Sequence, residues 1–157
     1  MNILALDCAT KTGWATSTNG TVTESGVQDF TKQRGDSNGI MFLRFRRWLA
    51  GMCDDAAPDV IAYERAHYRG GAATEVCVGL TTRVQEAAAG RAGCECITVP
   101  TMTLKKHATG HGNASKGDMI VAAAAILGRE PIDDNEADAV LIAAWAWGQV
   151  GVGGEIS

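Results

Sequence analysis

No CxxC pair occurs in this chain, no apolar run is long enough to span a bilayer, and no segment is repeated or of low complexity. The longest apolar run considered, VAAAAILG, falls far short of the ~20 residues a membrane-crossing helix needs. No basic start followed by an apolar core and a small-residue cleavage site marks a signal peptide, so a cytoplasmic protein that does not engage membranes is expected. The five cysteines, Cys8, Cys53, Cys77, Cys94 and Cys96, are odd in number and lack zinc-ligand spacing, which argues against both a disulfide framework and a structural zinc site. Cys94 and Cys96 alternate on one expected strand and read as core or surface filling.

What is present is enough for one substantial core: 157 residues, 46% of them hydrophobic and 20% charged. A single domain over residues 1–150 and a flexible Gly-rich tail over 151–157 are expected. The formal net charge of -4 hides an uneven distribution. Lys32, Arg34, Arg44, Arg46 and Arg47 face a single acid, Asp36, between Lys32 and Trp48. From Arg129 onward, Glu130, Asp133, Asp134, Glu136, Asp138 and Glu155 face one arginine. Such a split fits a cation site beside a phosphate-binding surface, and each cluster taken alone also fits a solvated helix face.

Residues 2–8 read as a buried strand, followed by the turn ATKTG, a strand GWATST, the hairpin signal Asn19-Gly20 and a strand TVTESGVQDF. Ser37 can cap a helix over about 38–55 whose apolar residues Met41, Phe42, Phe45, Trp48, Leu49 and Met52 recur at helical spacing. DVIAYE is a second buried strand, RAHYRGG a loop, ATEVCVGLTTRVQEAAAGR a helix and CECITV a short strand. TMTLKKHATG, a helix ending at Gly128 and a helix over NEADAVLIAAWAWGQ complete the chain. Three antiparallel strands followed by strands alternating with helices predict a mixed α/β sheet covered on its faces by helices.

Three acids stand where an ionised carboxylate is costly. Asp7 follows ILAL, Glu64 follows VIAY, and Asp138 is expected in the first turn of a helix that continues AVLIAAWAW. Burying such groups costs several kcal/mol each unless a cation or donors compensate. Separately, Asp7 could cap its turn, Glu64 could pair with Arg65 or Arg69, and Asp138 could favour a helix start. Together, at one edge of a sheet under a crossing helix, they form a hard-oxygen site suited to Mg²⁺ or Mn²⁺, the arrangement that two-metal phosphodiester hydrolysis requires.

ILALDCATKTGWA, VIAYERAHY, GNASKGDM and DDNEADAVLIAAWA, in that order, resemble the RuvC-type Holliday junction resolvases of the RNase H-like (retroviral integrase-like) superfamily, over residues 1 to about 149. The resemblance implies an RNase H-like five-stranded mixed sheet with helices on both faces. It implies a homodimeric endonuclease that nicks a four-way DNA junction with Mg²⁺ or Mn²⁺, two ions per site, leaving 5′-phosphate and 3′-hydroxyl ends. Asp7, Glu64 and Asp138 match the family's acids, and Lys116 and Lys105 match its lysines near the scissile region. His67 and Tyr68 fall where it places an aromatic. The helix over 73–91 matches its dimer interface, although Val76, Leu80, Val84 and Ala87 to Ala89 fit ordinary core burial equally well. Three residues before the last acid the family has a further acid or a histidine; here Asn135 stands there, expected as a ligand ahead of Asp134, with Glu136 as another substitute.

The groups around the acids suit a polyanion. Lys105, Lys106, His107, His111 and Lys116 form a stretch without acids, with glycines that let backbone approach phosphate. Arg65, His67, Tyr68 and Arg69 form a basic and aromatic loop able to contact phosphate and stack on an unpaired base. Lys116 is placed to stabilise developing phosphorane charge. Arg44, Arg46 and Arg47 are candidates for further phosphate contacts. Branched DNA is the expected partner, as a four-way junction, fork or flap. Two alternatives are an ATPase of the actin or sugar-kinase type, for which the chain leaves little room, and a non-catalytic branched-DNA-binding protein with a degenerate metal site.

Overall fold

The computed structural model describes residues 1–66 and 70–151; His67, Tyr68 and Arg69 of the expected DNA-binding loop, and residues 152–157, lie outside the described residues. Strands β1 (Asn2–Asp7), β2 (Lys11–Thr18) and β3 (Thr21–Asp29) form an antiparallel meander. Asn19 (φ 49°) and Gly20 (φ 85°) make the tight β2–β3 turn, since the left-handed conformation at both positions suits Asn-Gly. Helix α1 (Asn38–Ala56) follows, capped by the Ser37 side chain accepting from the Ile40 amide.

Strand β4 (Val60–Glu64) then pairs parallel to β1, and after helix α2 (Ala72–Ala89) strand β5 (Glu95–Val99) pairs parallel to β4. The sheet order is β3-β2-β1-β4-β5. Helices α3 (Thr101–Thr109), α4 (Lys116–Leu127) and α5 (Asp134–Val150) complete the chain. The mixed sheet with helices on both faces is the expected one.

Strand alternation decides which side chains meet which helices. Ile3, Ala5, Ala15, Val60, Ala62 and Val99 point to one face and pack with α3, α4 and α5. Leu4, Leu6, Ile61 and Tyr63 point to the other face and pack with Met41, Phe45 and Leu49 of α1 and Leu80, Val84 and Ala88 of α2. The face toward α5 is built largely of alanine on both partners, with Ala137, Ala139, Ala143 and Ala146 on the helix, so α5 lies close to the sheet. Asp7 continues the Ile3, Ala5 series and Glu64 the Val60, Ala62 series. Both therefore emerge beneath α5, at the ends of neighbouring parallel strands.

On α2 the apolar stripe serves the core of its own chain: Leu80, Val84 and Ala88 are fully buried, and only Val78 among its larger apolar residues is exposed. Arg44, Arg46 and Arg47 lie on α1, across the sheet from α5. Arg44 is paired with Asp36 at 2.9 Å, and Arg46 borders a cleft between α1 and α2 with Arg83 and Arg91. This removes α1 from the immediate surroundings of the acids. Among the described residues no helix is long and apolar enough to cross a membrane.

Candidate metal centre

The carboxylates of Asp7, Glu64 and Asp138 converge, offering one oxygen each within 4.8 Å of one another, and all three are half-buried. The convergence follows from the local structure. β1 and β4 run parallel in the register Leu6↔Tyr63, so the next residue on each strand is an acid pointing toward α5. Helix α5 begins at Asp134, one residue earlier than the sequence pattern indicates, which places Asp138 in its second turn and not its first.

The helix can come close enough because Gly13, paired with Asp7 across the β1–β2 ladder, carries no side chain. A Cβ at Gly13 would lie 1.8 Å from the Asn135 carbonyl oxygen and 2.3 Å from its carbon. Backbone on both sides leaves no flexible side chain to yield. Gly13→Ala is therefore expected to push the start of α5 off the sheet, costing about 1–3 kcal/mol of stability and widening the Asp7–Asp138 separation. A urea melt together with a Mn²⁺ titration of the variant checks both effects.

The acids oppose one another electrostatically. Burial, followed by the charges of Asp138, Glu64, Asp134 and Asp133, holds the Asp7 carboxyl well above its ordinary range. Asp138 is pushed up to about 7 by burial and by Glu64 and Asp134, against the opposing pull of Lys116 and Lys105. Three hard oxygen donors with unfavourable mutual repulsion at neutral pH fit a divalent cation. Directly behind them, Cys77 Sγ donates to the Cys8 carbonyl at 3.4 Å. Burial pushes both thiols up, which keeps them protonated and inert.

The cleft holding Glu64 and Asp138 is also lined by Thr101, Leu104, Lys105, Lys116 and Met119. Of the sequence-derived basic candidates, Lys105 and Lys116 are thus brought to the acids. Lys106 and His111 are exposed elsewhere on α3 and the loop after it, with His111 beside Asp118. Arg65 is exposed, its amide donating to the Val99 carbonyl at 2.9 Å, one residue beyond Glu64. Lys116 is the first residue of α4, an electrostatically poor place for a cation that the Ser115–Asp118 capping box offsets. Its ammonium lies 3.1 Å from Asp134, with side chains 73% and 37% exposed, a solvated pair that binds weakly and releases easily.

The acid-rich DDNEAD segment divides its labour. Asp133 is the N-cap of α5, accepting from the Glu136 amide at 2.9 Å. The Asn135 amide nitrogen donates to Asp133 Oδ2 at 3.3 Å, which fixes the amide so that its oxygen is the end turned away from Asp133. Glu136 is fully buried and committed elsewhere: it accepts from Arg129 at 2.9 and 3.0 Å, from the Ile132 amide at 2.8 Å and from Ser25 at 3.1 Å. It is therefore a clamp joining α5, the α4–α5 loop and β3, and is not available as a substitute ligand. The turn after Asp7 is closed by the Thr12 hydroxyl donating to the Ala9 carbonyl at 2.6 Å. Sequence reading missed Gly13, the Asp133 cap and the Arg129–Glu136 pair; the spacing of Asp133 and Glu136 carried the signal of a helix cap.

No family model matches the chain, and no curated protein matches it. Solved structures do. Thermus thermophilus RuvC in complex with a Holliday junction substrate is 21% identical, with a TM-score of 0.83 over 98% of this chain and 97% of that one. Another Thermus thermophilus RuvC structure, also 21% identical, gives a TM-score of 0.78 over 96% and 97% of the two chains. The yeast mitochondrial Holliday junction resolvase Ydc2 is 14% identical and gives 0.66 over 90% and 75%. This chain is built on the fold shared by RuvC and the yeast mitochondrial resolvase.

Proposed function

We propose that the protein is a metal-dependent endonuclease that cleaves Holliday junctions or related branched DNA. The observation that carries the proposal is the convergence of Asp7, Glu64 and Asp138, the last two of which line one cleft with Lys105 and Lys116. The likeness to a RuvC in complex with a junction substrate supports the choice of DNA.

Asp7, Glu64 and Asp138, with the Asn135 side-chain oxygen as fourth donor, would hold Mg²⁺ or Mn²⁺, two ions in the fully loaded site. Bound divalent cations supply a water nucleophile at neutral pH and neutralise charge on the phosphate. The residues of the chain do the rest. Burial and the charges of Asp138 and Glu64 raise Asp7 toward protonation, and burial and the charges of Glu64 and Asp134 raise Asp138, so these two acids gain most from a cation and are the groups whose deprotonation limits activity at low pH. Among the described residues Lys116 is held by a solvated pair with Asp134, so it can turn to a scissile phosphate and stabilise the charge that develops there. Lys105, on the wall of the same cleft, holds an adjacent phosphate. Arg65, His67, Tyr68, Arg69, Lys106 and His111 extend the DNA surface, the aromatic ring stacking on an unpaired base at the branch.

A homodimer would present two such sites to opposed strands. Because Leu80, Val84 and Ala88 are used internally, its contacts would come from exposed Ile40, Leu43 and Val78. Sedimentation that shows only monomer with and without junction DNA removes this part of the proposal.

The decisive test is a panel of four-way, forked and flap substrates with Mg²⁺ or Mn²⁺ and mapping of the ends. Intact substrates together with absent binding would overturn the proposal. Asn135 gives a further expected result. An acid there would stand about as close to the Asp133 cap as the amide does now, so Asn135→Asp should lower the thermal midpoint of the metal-free protein by a few degrees. Mg²⁺ should restore it. The same variant should reach half-maximal cleavage at several-fold less Mg²⁺, and Asn135→Ala at several-fold more.

A further inference from the structure

Among the described residues, Glu64 is the acid of the three whose carboxylate is held by a hydroxyl from a different element. β5 lies parallel to β4 in the register Glu64↔Val99, so the chain leaves β5 directly beside the Glu64 side chain. Pro100 follows in extended conformation (φ -67°, ψ 147°) as the N-cap of α3 and makes no side-chain cap bond. Thr101 is then the first residue of that helix. Its hydroxyl donates to Glu64 Oε1 across the cleft. Thr101 is half-buried and shares the cleft wall with Lys105, Lys116 and Asp138.

We propose that Thr101 is a positioning residue for Glu64, fixing the plane of its carboxylate toward Asp7 and Asp138 through the Oγ1–Oε1 hydrogen bond. The inference rests on the metal-dependent reading above. A glutamate carboxylate rotates broadly about its last torsion, and a site whose other two donors are short aspartates tolerates little of that freedom. A hydroxyl donor fixes the rotor while taking up only one of a carboxylate's four lone-pair sites. Outer partners of this kind are worth about 10–100-fold in metal affinity. The hydroxyl is attached to a rigid element at its first turn, and that element begins at the neighbouring strand, so the position of the bond is set by the sheet register and not by a loop.

The test uses the full chain with Thr101→Val, which keeps the shape and removes the donor, and Thr101→Ser, which keeps the donor. Mn²⁺ binding is measured by calorimetry without DNA, thermal midpoints are taken in EDTA, and the Mg²⁺ dependence of junction cleavage is recorded. The expected result is Mn²⁺ binding weakened about 10-fold or more in Thr101→Val, restored in Thr101→Ser, with the EDTA midpoints of both near wild type. Cleavage by Thr101→Val should be recovered by excess metal. Wild-type Mn²⁺ affinity in Thr101→Val would overturn the role of Thr101 alone, and so would equal losses in both variants, which would indicate packing of the methyl group. Absence of Mn²⁺ binding by the wild type would overturn the metal reading itself, and with it this one.

Discussion

Asp7→Asn is expected to abolish cleavage of branched DNA while making the metal-free protein more stable. The two effects have one cause. Asp7 stands at the end of a buried strand, and burial and the charges of Asp138 and Glu64 raise its carboxyl well above the ordinary value of 3.8. In the metal-free protein it is a source of repulsion, and the isosteric amide removes that charge. A higher thermal midpoint in EDTA at neutral pH is the expected result. With metal the sign reverses. A donor that contributes several kcal/mol of charge stabilisation to the transition state translates into a loss of about 10³-fold or more when replaced. Binding of a four-way junction should be kept or improved, because a negative charge has been taken from beside the proposed phosphate-binding cleft. Full activity in this variant would remove Asp7 from the metal site, and unchanged stability in EDTA would show that the acids do not oppose one another.

The same repulsion gives the apo protein a pH dependence whose sign can be worked out. A carboxyl whose folded pKa is raised binds its proton more tightly in the folded chain than in the unfolded one. Its contribution to stability is complete below the unfolded value and is lost as pH rises through the folded value. For Asp138 that window runs from its ordinary 3.8 to about 7. Asp7 is raised as well and widens the effect. Mg²⁺ should remove most of this loss, so the midpoint difference between EDTA and Mg²⁺ grows with pH.

The ends of buried strands are legible in a sequence, and so is an acid placed there. ILALD and VIAYE each declare an apolar strand terminated by a carboxylate, and Asn19-Gly20, Ser37 and Gly128 declare turns and caps through local conformational preference. Once two such strands are parallel neighbours, their acids meet. What could not be read is the choice among residues with the same local chemistry. DDNEAD offers four acids in six positions, and only the packing of α5 on the sheet separates a cap, a solvated partner for Lys116, a buried clamp and a member of the converging triad. That packing depends on Gly13, more than a hundred residues away in the chain, whose lack of a side chain is uninformative until a backbone carbonyl lies against it. Helix α2 illustrates the same limit: an apolar stripe states that something is buried, and not whether its own chain or another buries it.

Glu136→Ala is expected to produce the largest loss of stability of the substitutions considered. Glu136 is buried completely, and its two oxygens accept from both terminal nitrogens of Arg129, from the Ile132 amide and from Ser25. Removing it leaves the Ile132 amide without its carboxylate and opens a cavity beneath α5. Arg129, about half exposed, can be rehydrated and limits the damage. Charge-assisted hydrogen bonds and the cavity together suggest about 3 kcal/mol, or roughly 6–12 °C in thermal midpoint. The pH dependence should be opposite to that of Asp138, two residues along the same helix. Burial pushes the Glu136 carboxyl up, but the Arg129 guanidinium, the Ile132 amide and Ser25 together hold it below its ordinary 4.5. Its contribution is therefore present above the unfolded value and lost as pH falls through the folded one. Urea midpoints of wild type and Glu136→Ala should differ most at neutral pH and draw closer, leaving the difference due to the cavity, only in acid below pH 4.5, whereas wild type and Asp7→Asn should converge already as pH falls from 7 toward 4. A difference for Glu136→Ala that is flat across this range would mean that the clamp acts through packing and not through its charge.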